Sequence, residues 1–146
     1  MAVEIERKFL VRGEGWRQPE PTRISQGYLS RDPERTVRVR IAGERAFLTI
    51  KGKTEGARRS EFEFPIPVAE ARELLALCTA PVIDKRRHVL VHEGTRWEVD
   101  EFLGAQAGLV IAEVELERED QPFVRPDWLA DEVTGDPRYY NSNIGV

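Results

Sequence analysis

Val3-Glu4-Ile5-Glu6-Arg7-Lys8-Phe9-Leu10-Val11 decides how the rest of the chain is read, because its character changes at every second residue. In an extended chain, side chains two apart point the same way, so Val3, Ile5, Phe9 and Val11 share one face while Glu4, Glu6 and Lys8 share the other. Runs of the same kind recur at 22–30, 34–42, 45–52, 59–66, 82–92, 95–102 and 109–117, separated by Gly, Pro and Asp. Eight strands are therefore expected. Gly43-Glu44 and the stretch around Gly94 read as tight hairpin turns, which pairs neighbouring strands antiparallel.

Splitting each strand into its faces repeats the division seen in the first. Val37, Val39 and Ile41 oppose Arg38 and Arg40; Leu48 and Ile50 oppose Thr49 and Lys51; Phe62 and Phe64 oppose Arg59, Glu61 and Glu63. Lys85 and Arg87 share one parity, Trp97 and Val99 oppose Glu98 and Asp100, and Val110, Ala112, Val114 and Leu116 oppose Glu113, Glu115 and Glu117. A sheet with one wet face alternates too. Here, though, the signs are segregated by strand, and Thr, Ser and Gln are scarce on the charged face. Like charges side by side repel, so a merely solvated face interleaves them.

Only one segment reads as a long helix: 68–78, VAEARELLALC, with Ala71, Leu74, Leu75 and Cys78 on one stripe, stopped by Pro81. Asp127 ahead of Trp128-Leu129 suggests a second, short helix over 126–130. If these helices cover the apolar face and the sheet curls until it closes, the charged face becomes the lining of a barrel able to hold one small ligand. The fold class expected is α+β, mainly β: an eight-stranded antiparallel closed barrel with a few flanking helices.

Such a lining holds Lys8, Arg38, Arg40, Lys51, Arg59, Lys85 and Arg87 together with Glu4, Glu6, Glu61, Glu63, Glu98, Asp100, Glu113 and Glu115. Buried charges without partners cost several kcal/mol each, and mutual ion pairs alone repay that poorly. A phosphate chain suits the cations, since Arg and Lys donate to phosphate oxygens. A hard divalent ion, Mg²⁺ or Mn²⁺, suits the remaining carboxylates and bridges to phosphate.

The bulk numbers agree with a small anion met locally. With 22 Lys+Arg against 26 Asp+Glu over 146 residues the formal net charge is -4, which gives no general attraction for nucleic acid or anionic membrane. Cys78 is the single cysteine, and no Cys/His spacing suits zinc. No stretch approaches a signal peptide or a membrane span, so the expectation is one domain over 1–146, cytoplasmic, as a monomer or homodimer. His88 and His92 fall off the charged parity and read as structural or exposed. Trp16, Trp97, Trp128, Tyr139 and Tyr140 read as packing residues, and Tyr28 as core or rim.

Glu4-Ile5-Glu6-Arg7-Lys8 is also an ExExK signature. It is followed in order by Gln26-Gly27-Tyr28-Leu29, Arg38-Val39-Arg40, Leu48-Thr49-Ile50-Lys51, Arg59 to Glu63, Lys85-Arg86-Arg87, Trp97-Glu98-Val99-Asp100 and Ala112-Glu113-Val114-Glu115. Over nearly its whole length the chain resembles the CYTH-domain triphosphate tunnel metalloenzymes, in particular the compact bacterial inorganic triphosphatases. The resemblance implies metal binding by Glu4, Glu6 and a last-strand carboxylate, Glu115 before Glu113. It implies phosphate contacts from Lys8, Arg38, Arg40, Lys51, Arg59, Lys85 and Arg87. Lys85 and Arg87 are expected at the leaving group, and Glu63 among the catalytic residues. Residues 131–141 resemble the segment that closes one tunnel mouth. The implied activity is metal-dependent cleavage of tripolyphosphate to pyrophosphate and phosphate. Class IV adenylate cyclase, thiamine or nucleoside triphosphatase, and a non-catalytic polyphosphate-binding module remain alternatives.

Overall fold

In the computed structural model, which describes residues 3–146, the alternating runs form strands and the strands close on themselves. They are β1 (Val3–Val11), β2 (Thr22–Ser30), β3 (Arg35–Ala42), β4 (Arg45–Gly52), β5 (Arg58–Ile66), β6 (Thr79–His92), β7 (Thr95–Phe102) and β8 (Val110–Glu115). Every pairing is antiparallel, in the order β5-β4-β3-β2-β6-β7-β8-β1, and β1 meets β5 through Val3↔Ser60, Glu4↔Arg59 and Ile5↔Arg58. The barrel is thus closed by eight strands and is mostly β. The tight turns obey their sequence signals: Gly43 takes φ 60°, while Glu93 and Gly94 both take positive φ, as a two-residue hairpin of the I′ kind requires.

The second helix expected over 126–130 is absent. Asp127 and Trp128 form a turn, closed by Leu129 N donating to Pro126 O at 3.1 Å, and the chain then runs as β9 (Leu129–Glu132). The cause lies in β1, whose edge beyond Ile5 is left unpaired by β5. β9 takes that edge through Phe9↔Glu132 and Val11↔Leu129, and Arg12 N donates to Trp128 O at 2.8 Å. A helix would withdraw those backbone groups from β1 and lift Trp128 and Leu129 out of the core.

Two different covers protect the outer wall. The helix α1 (Val68–Leu77) lies across β2, β3 and β4 and buries Ala71 against Val39 and Ala46. It ends one residue before the expected limit, because Thr79 already pairs with Tyr28 of β2. Gly27 faces this helix so closely that a Cβ there would lie 3.0 Å from Cys78 Cβ. Elsewhere loops cover the barrel with aromatic rings. Trp97, fully buried, meets Phe9, Phe123 and Trp128 edge-on at centroid distances of 5.8, 5.5 and 5.6 Å. Trp16 packs edge-on against His88, and His88 Nδ1 accepts from Gln18 N, so that this histidine pins a loop. On β5 the apolar face is open, with Phe62 and Phe64 about half exposed.

One end of the barrel is capped by residues 133–144. Val133 N donates to Lys8 O, Lys8 Nζ donates to Tyr139 O at 3.3 Å, and Arg31 Nη1 donates to Ser142 O at 2.5 Å. Ile144 is buried against Ile83, Phe102 and Ile111, which share the inward parity of the charged residues further along the bore. Clefts of about 20 and 30 Å³ remain beneath this cap. No helix among the described residues is long and apolar enough to cross a membrane.

Candidate active site

Inside the barrel lies a cavity of about 180 Å³ lined by Glu4, Glu6, Arg38, Arg40, Lys51, Glu61, Glu63, Arg87, Glu98, Glu113, Glu115 and Asn141. Eleven of the residues expected on the lining meet here: Glu4, Glu6, Arg38, Arg40, Lys51, Glu61, Glu63, Arg87, Glu98, Glu113 and Glu115. Lys8 and Arg59 line the smaller clefts under the cap. Lys85 reaches none of these cavities. It is fully buried, with Nζ 2.7 Å from Asp100 and 5.5 Å from the centroid of the Phe102 ring.

Facing strands hold the lining in place by cross-strand pairs. Lys8 on β1 lies opposite Glu113 on β8, and Arg87 on β6 lies opposite Asp100 on β7. Arg87 grips Asp100 with two parallel contacts of 2.8 Å, Nε to Oδ1 and Nη2 to Oδ2. Lys51 Nζ bonds both oxygens of Glu4 at 3.0 Å and stands 3.3 Å from Glu61. Arg38 donates to Thr49 Oγ1, which donates to Glu63 at 3.1 Å.

A family model described as the CYTH domain matches residues 2–140. The chain belongs to the CYTH family. Similar CYTH relatives are an inorganic triphosphatase of Acetivibrio thermocellus, 49% identical over 99% of this chain and 94% of its own, and one of Nitrosomonas europaea, 33% identical over 99% and 97%. The solved structure of the inorganic triphosphatase NE1496 superposes with a TM-score of 0.70 at 33% identity, covering 98% of this chain and 94% of that one. The putative adenylyl cyclase HpAC1 of Hippeastrum, 12% identical over 81% of this chain and 80% of its own, shares the fold with a TM-score of 0.56.

The electrostatics of the CYTH cavity arise from crowding of carboxylates. Burial, and then Glu113, pushes Glu6 up to about 8. Burial raises Glu4, against the pull of Lys51, and raises Glu115, with Glu4 adding to the effect. Burial alone would raise Glu113 as well, but Lys8, Arg87 and Lys85 outweigh it and hold this acid at about 2. Asp100 is likewise buried, yet Lys85 and Arg87 keep it far below the usual carboxylate range. Its two partners fare differently: Arg87 is raised, whereas burial, assisted by Arg87 and Arg40, brings Lys85 down to about 7. Asp100 is therefore a firm anion, and Lys85 the weaker of its two cations.

Seven carboxylates face four cations around the cavity, and that surplus bears on what it can hold. A phosphate chain alone would meet net negative charge. Glu4, Glu6, Glu113 and Glu115 offer oxygen donors only, which suits a hard divalent cation. Among the described residues, no three acidic, His or Cys side chains are already gathered around one point. The donor set fits such an ion in its chemistry, with the carboxylates spread over the walls.

Among the lining residues outside the expected set, Asn141 enters from the cap and Thr36 lies on the inner face of β3. Thr49, read on the charged face of β4, is buried among the charges. The inner face of β2 is Ile24, Gln26 and Tyr28, all buried; it carries no charge, so alternation gave no contrast there. Gln26 stands directly opposite Arg40, a signal available once the hairpin register is known.

Proposed function

We propose that this protein hydrolyses inorganic triphosphate to pyrophosphate and phosphate in the barrel cavity, with Mg²⁺ or Mn²⁺ as the cofactor. The observation that carries the reading is the cavity's excess of carboxylates over cations in a space about right for one short polyanion. Relatives named inorganic triphosphatase, matching 99% of this chain, support the same choice of substrate.

Glu4, Glu6, Glu113 and Glu115 would hold the metal, which when bound neutralises phosphate oxygens and polarises the reacting P–O bond. The protein's own part is positioning and charge stabilisation, the main demands of phosphoryl transfer. Arg38, Arg40 and Lys51 donate to the chain from the cavity wall, and Lys8 and Arg59 do so from the capped end. Arg87, clamped by Asp100, faces the leaving pyrophosphate as a fixed donor. Lys85 acts from behind, fixing Asp100 and through it Arg87. Glu63, partly exposed at the open end and oriented by Thr49, takes a proton from the attacking water. In this reading residues 1–146 work as one cytoplasmic domain, monomeric or homodimeric, whose partner is the small anion, with no nucleic acid or membrane.

The test is parallel incubation with tripolyphosphate, ATP and thiamine triphosphate, with Mg²⁺, with Mn²⁺ and with chelator, and then product identification. Phosphate and pyrophosphate from tripolyphosphate, only with metal, is the expected outcome. Turnover of an organic triphosphate in preference, or tight tripolyphosphate binding with no product, would overturn the proposal.

A further inference from the structure

Arg40 is held unlike the other cations on the cavity wall. Arg38, Lys51 and Arg87 each stand within 4 Å of a carboxylate. Among the described residues Arg40 has no such partner; its Nε and Nη2 instead donate to Gln26 Oε1 at 3.0 and 2.8 Å. Gln26 is fully buried, and its Nε2 has no hydrogen-bond partner, so the amide is fixed from its oxygen alone. A buried amide donor left unpaired is unfavourable. Glutamate has the same length and would form a forked ion pair at this position, so the energetically obvious residue is not the one present.

The difference between the two is charge. A carboxylate would orient Arg40 and cancel it, whereas a neutral carbonyl oxygen orients Arg40 and leaves its charge in place. Two of the five guanidinium N–H donors are used by Gln26, and the rest remain for a ligand in the cavity that Arg40 lines. Burial, then Arg38 and Arg87, lowers Arg40 to about 9 against the pull of Asp100, so it stays charged at neutral pH with no carboxylate in contact with it. An anion in the cavity can take that contact position.

We propose that Gln26 is a positioning residue of the phosphate site: it holds Arg40 by one edge and, being neutral, reserves that guanidinium's charge for the substrate. The inference deepens the triphosphatase reading and rests on it. A purely structural Gln26 would affect stability and leave phosphate affinity alone. Gln26→Glu keeps the shape and adds the cancelling charge, while Gln26→Met keeps the volume and removes the acceptor.

The experiment measures tripolyphosphate hydrolysis, and binding of a non-hydrolysable imido analogue of tripolyphosphate with Mg²⁺, for wild type, Gln26→Glu, Gln26→Met, Arg40→Met and the two double variants. Thermal melts accompany each. Charge-assisted hydrogen bonds of this kind set the expectation that Gln26→Glu weakens binding and raises KM by about 10- to 100-fold. Gln26→Met should raise KM about threefold to tenfold, by loosening Arg40 without cancelling it. kcat should change less in both, and in the Arg40→Met background Gln26→Met should not alter affinity by more than about twofold. If Gln26→Glu does not fold, Gln26→Met and its cycle with Arg40→Met decide the matter. Affinity within twofold of wild type for the Gln26 variants, or an equal loss from Gln26→Met when Arg40 is already absent, would overturn the inference while leaving the triphosphatase reading standing. A wild-type protein that neither cleaves tripolyphosphate nor binds the analogue would sink both.

Discussion

Asp100→Asn should destabilise the protein in a pH-dependent way, because one nearly inaccessible carboxylate answers two cations. The amide keeps the shape and still accepts hydrogen bonds, so what is lost is the charge opposite Lys85 and Arg87. Breaking a buried pair by removing one partner costs about 3–5 kcal/mol, and the retained acceptor favours the lower end. For a domain of this size that corresponds to a fall in Tm of roughly 10–15 °C. The pH dependence comes from Lys85, whose folded-state value of about 7 lies below its ordinary 10.5. Between the two the unfolded chain binds more protons than the folded one, so this group makes stability rise with pH. Taking away Asp100 removes the influence that raises Lys85, and its folded-state value falls further. The variant's deficit is then largest below pH 7, where wild type keeps Lys85 paired and charged, and shrinks above it. Urea unfolding at pH 6 and pH 8.5 reads this directly. Adding Lys85→Met to Asp100→Asn should recover part of the deficit at pH 6 and little at pH 8.5. A deficit under about 1 kcal/mol at pH 6, or one that grows with pH, would refute the reasoning.

Other parts of the molecule give further expectations. Glu6→Gln should cut metal-dependent phosphate release by more than about 100-fold, since changes only in a ligand's supporting contacts already cost 10- to 100-fold; activity within tenfold of wild type in a phosphate-release assay would exclude Glu6 from the metal set. Gly27→Ala places a Cβ 3.0 Å from Cys78 Cβ and should cost about 1–3 kcal/mol, visible as a lower denaturant midpoint with unchanged slope. An unchanged midpoint would mean that the helix yields freely. Trp97→Ala removes the ring that three other aromatics meet and should cost about 3–5 kcal/mol in the same measurement, with any smaller loss showing that the loop cover repacks.

The alternation of Glu4, Glu6 and Lys8, of Arg38 and Arg40, and of Glu113 and Glu115 was legible because strand parity is a local property. The apolar residues opposite then indicated which face turned inward. Parity says nothing of height along the bore, however. Lys85 and Arg87 share a face, yet Arg87 lines the cavity and Lys85 lies beneath Asp100. Nor does parity reveal an uncharged lining, and so Gln26 and Tyr28 on β2 went without a role. The turn at Asp127-Trp128 carries a reasonable helix-start signal; only the free edge of β1, more than a hundred residues away in sequence, draws Leu129–Glu132 out as β9. Asn141 reaches the cavity through packing of the cap; the resemblance of 131–141 to a mouth-closing segment points to the segment but does not single out this residue.

The cap over 133–144 admits a difference in size. Its clefts of about 20 and 30 Å³ compare with the roughly 10–15 Å³ that a water needs on a similar measure, and neither has room for a phosphate group with its oxygens. Beyond them, Thr36, Arg59, Tyr140 and Ser142 border an outer hollow of about 220 Å³. The clefts that Lys8 and Arg59 line are thus of a size for water and not for a phosphate group. A polyanion in the main cavity meets these two cations across hydration rather than by pushing in beside them, and filling the bore does not by itself dry it.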